Sequence, residues 1–237
     1  MIKIFQYECK RLLWNKFFFG LLLVILFYGW QVLNSVTILG VSHTAPFSPW
    51  SFGDYLSRMI PLLWIGVLFF LTFFTSGKAR RVTVLTDATP VAPGRYVLAR
   101  CAATLVGTGL LALVCLIEAA IFYGRYFDWY GWDELALPAL VTLIPPLMLA
   151  LGSGWLLGRI RSYLIYAWML VPFVMMVLPL PEFLGLLNGS IFMDRPLTFD
   201  ILDPTFSLPI GTIVTQCVLF LIGIALLMIC PLNHKIR

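Results

Sequence analysis

Two charge-free apolar stretches constrain this chain more than any motif in it: no Asp, Glu, Lys or Arg lies between Lys16 and Asp54, and none between Arg58 and Lys78. A bilayer's hydrocarbon is crossed by about 20 predominantly apolar residues of helix. Runs of this kind recur to the C-terminus, and the composition agrees, with 61% hydrophobic residues, 11% charged residues and a mean hydropathy of +0.95. A soluble domain of 237 residues has no interior large enough for that much apolar side chain, so lipid is expected to be the solvent for most of it.

The expected fold is all-α and integral to the membrane, one domain over 1–237 with no separate soluble domain. Six transmembrane helices are predicted at about 17–39, 59–77, 100–122, 135–158, 162–180 and 208–230. Met1–Lys16 precedes them as an amphipathic helix. Its Ile2, Phe5, Cys9, Leu12 and Leu13 fall on one arc, and Lys3, Gln6, Glu8, Lys10 and Arg11 fill most of the rest, the pattern of a helix lying in the headgroup plane. A charged signal-peptide n-region is the alternative, but the next run is bulky and aromatic and no small-residue cleavage site follows Leu33.

The basic residues set the expected orientation. With both termini cytoplasmic, 13 of the 16 Lys and Arg residues fall inside and three (Arg58, Arg125, Arg195) outside. Basic residues beside spans resist translocation, so the net charge of +5 is read as orientation and not as a nucleic-acid surface. The longest basic interruption, 78–99, is then a cytoplasmic loop. Residues 181–207, too apolar for a plain loop and too short in any apolar run to cross, are expected to be re-entrant or interfacial on the outer side.

Little in the sequence carries chemistry. No metalloprotease, hydrolase or paired-histidine pattern occurs, and none of the five cysteines is spaced as CxxC. Ser76-Gly77-Lys78 imitates the end of a phosphate-binding loop, but Thr72 stands where glycine is needed and Ala79 where Ser or Thr is needed. His43 has no ligand partner in its spacing, and Asn188-Gly189-Ser190 is a formal glycosylation acceptor. Glu118 is the one ionisable residue inside a predicted span: either a gating or substrate-path group, or an anchor reaching the nearby interface. Gly154 and Gly158, at i,i+4, permit close helix approach.

The N-terminal ECKRLLWNKFFF, the loop RRVTVLTDATPVAPGRYVLAR and the six-span layout with a short basic tail together resemble the permease subunits of ABC-2 type transporters. The resemblance implies a multi-pass cell-membrane protein, of a bacterial inner or plasma membrane, that is a transport subunit and not an enzyme. It implies two permeases, identical or paralogous, surrounded by membrane lipid and docked on separate ATP-binding cassette subunits, with ATP and magnesium bound there and no cofactor in this chain. Arg80, Arg81, Val82, Leu85 and Asp87 are the implied contacts of the coupling segment, and Met1–Lys16 the implied connecting helix. The chain departs from the family in having Asp87 as its single acid there. The implied activity is export of an amphipathic, lipid-like or peptide substrate. Two alternatives stand beside it: a membrane scaffold or lipid-modifying enzyme with an acidic outer site (Asp194, Asp200, Asp203), and a proton-coupled secondary carrier.

Overall fold

The computed structural model describes residues 2–75, 93–199 and 201–232, and the description below refers to these. They are helical throughout, without strands. The N-terminal amphipathic segment is α1 (Ile2–Leu13). It ends because Asn15 adopts an extended conformation and its side chain accepts a hydrogen bond from the Phe17 amide at 3.2 Å, capping the next helix α2 (Lys16–Ser35). One polar residue thus separates the amphipathic helix from the apolar one. A 3-10 turn, Thr37–Leu39, closes α2.

The third helix, α3 (Pro49–Thr75), starts ten residues before the expected span and takes in Asp54 and Arg58, which the sequence assigned to an outer loop. The physical reason lies in Ser48-Pro49. Ser48 Oγ accepts from the Ser51 amide at 3.2 Å, a helix N-cap, and proline occupies the first helical position, where its missing N–H costs nothing. Pro61, the third residue of the expected span, therefore sits in the helix interior.

Beyond 76–92, which lie outside the described residues, α4 (Pro93–Phe127) runs seven residues before and five after the predicted span. The turn to α5 (Trp132–Ile160) is held by an aromatic group in which Phe47 stacks on Trp129 and Trp129 meets Tyr123 edge-on. α5 continues as one helix through Pro138, Pro145 and Pro146. α6 (Ser162–Val177) follows after the single extended residue Arg161. The segment expected to be re-entrant or interfacial contains 3-10 turns at Glu182–Leu184 and Pro196–Thr198, and between them α7 (Gly185–Asn188) and α8 (Ser190–Asp194). The last described helix is α9 (Ile210–Leu232).

Five of these helices (α2, α3, α4, α5 and α9) are long and apolar enough to cross a membrane; α6, at 16 residues, is shorter. The sequence expectation of six spans is met to that extent, as a multi-pass helical membrane protein with five full-length candidates. α3 is the central one, with 67% of its apolar window buried against 17% for α9 and 28% for α2. It packs on α4, α5 and α6, and α5 packs as extensively on α9. Leu56, Leu63, Val67 and Leu71 of α3 lose all contact with solvent, while Phe27, Val177 and Ile210 on the periphery stay exposed. That inside-out contrast suits a hydrocarbon surround, where backbone polar groups are satisfied within helices and apolar side chains cost nothing to expose.

The two ends of α3 define two ends of the molecule. At its C-terminal end Phe74 meets the root of α4, to which α1 is packed, and Thr75 meets the start of α6. At its N-terminal end the 181–207 segment folds back over it as a cap.

Candidate functional site

Eight consecutive residues of α3, Trp50–Ser57, are buried, which no single amphipathic face explains. They are enclosed by the cap on one side and α4 on the other, and five of them carry polar groups that need partners. Ser51 Oγ accepts from the Val41 amide at 3.1 Å and donates to Ala45 O at 2.8 Å. Ser57 Oγ donates to Asp54 O at 2.7 Å. Asp54, 1% exposed, accepts from Arg58 Nε at 2.8 Å, one helical turn away. A carboxylate so enclosed is tolerable only as a pair, and removing one member of such a pair typically costs about 3–5 kcal/mol.

The cap is fitted to this seam at three points. Gly189 has φ +83°, and a Cβ there would meet Asp54 Oδ1 at 3.0 Å and Ser57 Oγ at 2.5 Å, so conformation and space both require glycine. The Phe192 ring lies directly on Gly53, in a notch that any side chain would fill. Trp50 Nε1 donates to Pro204 O at 2.8 Å, with Phe206 against its ring at 4.9 Å. Asp203 also ties the cap to the α2–α3 connection: its amide donates to His43 O at 3.2 Å and its carboxylate accepts from the Ala45 amide at 3.4 Å. His43 contributes its backbone here.

One to two turns deeper, Tyr55 Oη donates to Cys115 O at 3.2 Å, and beside it Glu118 of α4 presses its carboxyl against Gly29 of α2. Glu118 is 7% exposed, its Oε2 has no hydrogen-bond partner, and no cation pairs with it among the described residues. Because α4 extends to Phe127, Glu118 stands nine residues, or about 14 Å, from the helix end. The carboxyl is enclosed at the α2–α3–α4 crossing. Tyr123, a turn or so further along α4, also has a buried hydroxyl without a partner. A carboxyl in such surroundings can bind and release a proton or accept a cationic group; it cannot sit there charged without cost.

At the other end, α1 is clamped to the root of α4. Arg100 Nε lies 3.5 Å from Glu8 Oε1, Arg11 Nη1 lies 3.5 Å from Glu8 Oε2, and Glu8 is 4% exposed. The Arg100 guanidinium also stacks over Phe74 of α3 at 5.5 Å and Tyr96 at 5.8 Å. One arginine thus joins α1, the last turn of α3 and the first turns of α4. Cys9, next to Glu8, has its thiol pKa pushed up by burial and then by the Glu8 carboxylate.

Of the residues singled out from sequence, Arg80, Arg81, Val82, Leu85 and Asp87 lie outside the described residues. Gly154 faces Leu68 and Leu71 of α3, and Gly158 faces Thr75 and Ile165, so both serve packing within the chain. A closer approach went unnoticed in the sequence. Gly152 of α5 meets the backbone of Gly223 in α9, and Gly223 meets Met148 O, backbone against backbone. Also missed were the Asp54–Arg58 pair, Tyr55, Gly29 and Arg100–Glu8. The i,i+4 spacing of Asp54 and Arg58 was a readable signal; the others pair residues far apart in the chain. Among the described residues no group of three or more His, Cys, Asp or Glu could hold a metal. Asp194 and Asp203 belong to no such group among the described residues, and Asp200, the third acid of the expected outer site, lies outside them. No family model, no curated protein and no solved structure matches the chain.

Proposed function

We propose that this chain is the membrane-spanning permease subunit of an ATP-driven transporter of the ABC-2 type. In this reading it makes six crossings, α6 included, with both termini cytoplasmic and the cap on the outer face. It has no ATPase site of its own. It docks through the segment between α3 and α4 on a separate ATP-binding subunit that holds ATP and magnesium, beside a second permease, identical or paralogous. The cargo is an amphipathic, lipid-like or peptide molecule, moved outward.

The observation that supports the reading best is the Arg100 clamp. A segment pushed by a partner must transmit force through its two roots, and Arg100 ties both, Phe74 of α3 and Tyr96 of α4, to the amphipathic helix through Glu8. α3 then runs rigidly to the polar seam and the cap at the far end. Motion of packed helices of this kind is a common means of coupling distant sites.

Affinity purification of the full chain in mild detergent tests the reading, and a stoichiometric ATP-binding protein is the expected companion. Reversing the charges of Arg80 and Arg81 is expected to uncouple ATP hydrolysis from transport without changing membrane insertion. The buried Glu118 carboxyl favours one competitor, the proton-coupled carrier. Purified chain alone in vesicles, moving substrate on a proton gradient without nucleotide, would establish that reading and end this one.

A further inference from the structure

The outer rim of the cap holds a cavity of about 350 Å³ that the seam does not use, lined by Glu182, Ser190, Asp194, Arg195 and Thr198. Ligand cavities run from roughly 300 to 1,000 Å³, so it suits a small polar group. Arg195 is its one cation, and its fork is half filled. Nη1 lies 3.5 Å from Glu182 Oε1, a long contact to an exposed carboxylate, and Nε is buried with no partner. The guanidinium is held in place by the Phe199 ring at 5.6 Å, and Thr198 Oγ1 donates to Arg195 O at 2.7 Å. Nε is closed off from the cavity, so the part-exposed Nη end of the fork is what can meet a ligand, and a guanidinium fork takes a phosphate oxygen pair.

Two carboxylates share the cavity with that one arginine, so a plain anion meets a net repulsion there. A group carrying a phosphate and, a few bonds away, a primary ammonium meets Arg195 with one end and Glu182 and Asp194 with the other. Leu180 and Ile191 add apolar walls to the cavity, and Val177, Leu178, Phe183 and Leu197, within three residues of its lining in the chain, expose their side chains. A soluble zwitterion has no use for that apolar rim; the acyl chains of a lipid do.

We propose that this cavity binds the headgroup of a zwitterionic phospholipid of the phosphoethanolamine class. Arg195 takes the phosphate, Asp194 and Glu182 take the ammonium, and the chains lie along the apolar rim. The proposal stands independently of the transporter reading.

Native mass spectrometry of the detergent-solubilised full chain tests it, with phosphatidylethanolamine and phosphatidylglycerol of identical acyl chains supplied in equal amounts. The ethanolamine lipid is expected to be retained about tenfold over the glycerol lipid, the scale of one charge-assisted contact. Arg195→Gln should lose both lipids. Glu182→Gln with Asp194→Asn should keep phospholipid binding but lose the preference. Equal retention of the two lipids by the unaltered chain overturns the proposal, as does a preference that survives the double substitution. Competition by glycerophosphoethanolamine or inorganic phosphate at equal concentration overturns it too, because the acyl chains would then be irrelevant. Should Arg195→Gln fail to fold, the acid-pair variant decides alone.

Discussion

Gly189 shows how much one residue carries in the cap. Its φ of +83° lies in the left-handed region, and its missing Cβ leaves the room in which Asp54 and Ser57 sit. Gly189→Ala is expected to destabilise the protein by about 1–3 kcal/mol through backbone strain alone, with the crowding of Asp54 added. Gly20, in the second turn of α2 with nothing near its absent Cβ, supplies the contrast. Gly20→Ala should leave the thermal midpoint unchanged or raise it, since alanine is worth up to about 1 kcal/mol over glycine in a helix interior. Thermal unfolding of both variants in one detergent checks the pair, and equal midpoints would remove the cap's dependence on this turn. Gly29 extends the logic to Glu118. Gly29→Ala should destabilise alone but cost clearly less in a Glu118→Ala background, because the carboxyl it strikes is gone. Additive losses in that double-mutant cycle would mean that the two residues do not touch.

At the scale of elements, the docking of α1 is the arrangement with the most leverage. An amphipathic helix can rest on lipid by its apolar face alone, but here a buried acid, Glu8, also fixes it to α4 through Arg100. Cys9 reports on that docking. Its raised pKa, from burial and from Glu8, keeps the thiolate scarce near neutral pH. Maleimide labelling of Cys9, read by peptide mass spectrometry, should therefore be slow at pH 7 and still climb above the free-thiol pKa of about 8.5. Arg100→Ala leaves Glu8 without that partner and should release α1, speeding labelling at pH 7. An unchanged rate would mean that the apolar face of α1, with Leu12 in the core, holds the helix without the clamp.

For the molecule as a whole, the open quantity is the number of crossings, and α6 decides it. Sixteen residues rise about 24 Å, short of the roughly 30 Å hydrocarbon core. Yet Ser162 at its start donates to Thr75 O at the α1 end, and Leu178 just past its finish accepts from Asn188 in the cap. A short helix so placed spans by local thinning of the bilayer or with help from the apolar residues 178–180. Cysteines at Arg161 and Glu182, which flank α6, should label from opposite faces of sealed vesicles with a membrane-impermeant maleimide. Labelling from one face would leave five crossings and put the termini on opposite sides.

The helical, lipid-immersed character of this protein was legible from its residues alone, because apolar runs without charge have one stable solution in a bilayer. The boundary between α1 and α2 was expected at Lys16, but α1 ends at Leu13 and Asn15 caps α2, a role that its place before an apolar run signals. The extent of α3 was misjudged because Asp54 and Arg58 read as solvated loop charges; once each neutralises the other a turn apart, the helix carries them inside. Gly154 and Gly158 announced close packing but not which helix would lie opposite, and Gly152 against Gly223 gave no sign at all. Spacing along a chain records what one helix can present. The seam, the cap and the clamp each arise where residues tens of positions apart meet, and that meeting follows from how the helices fill space together.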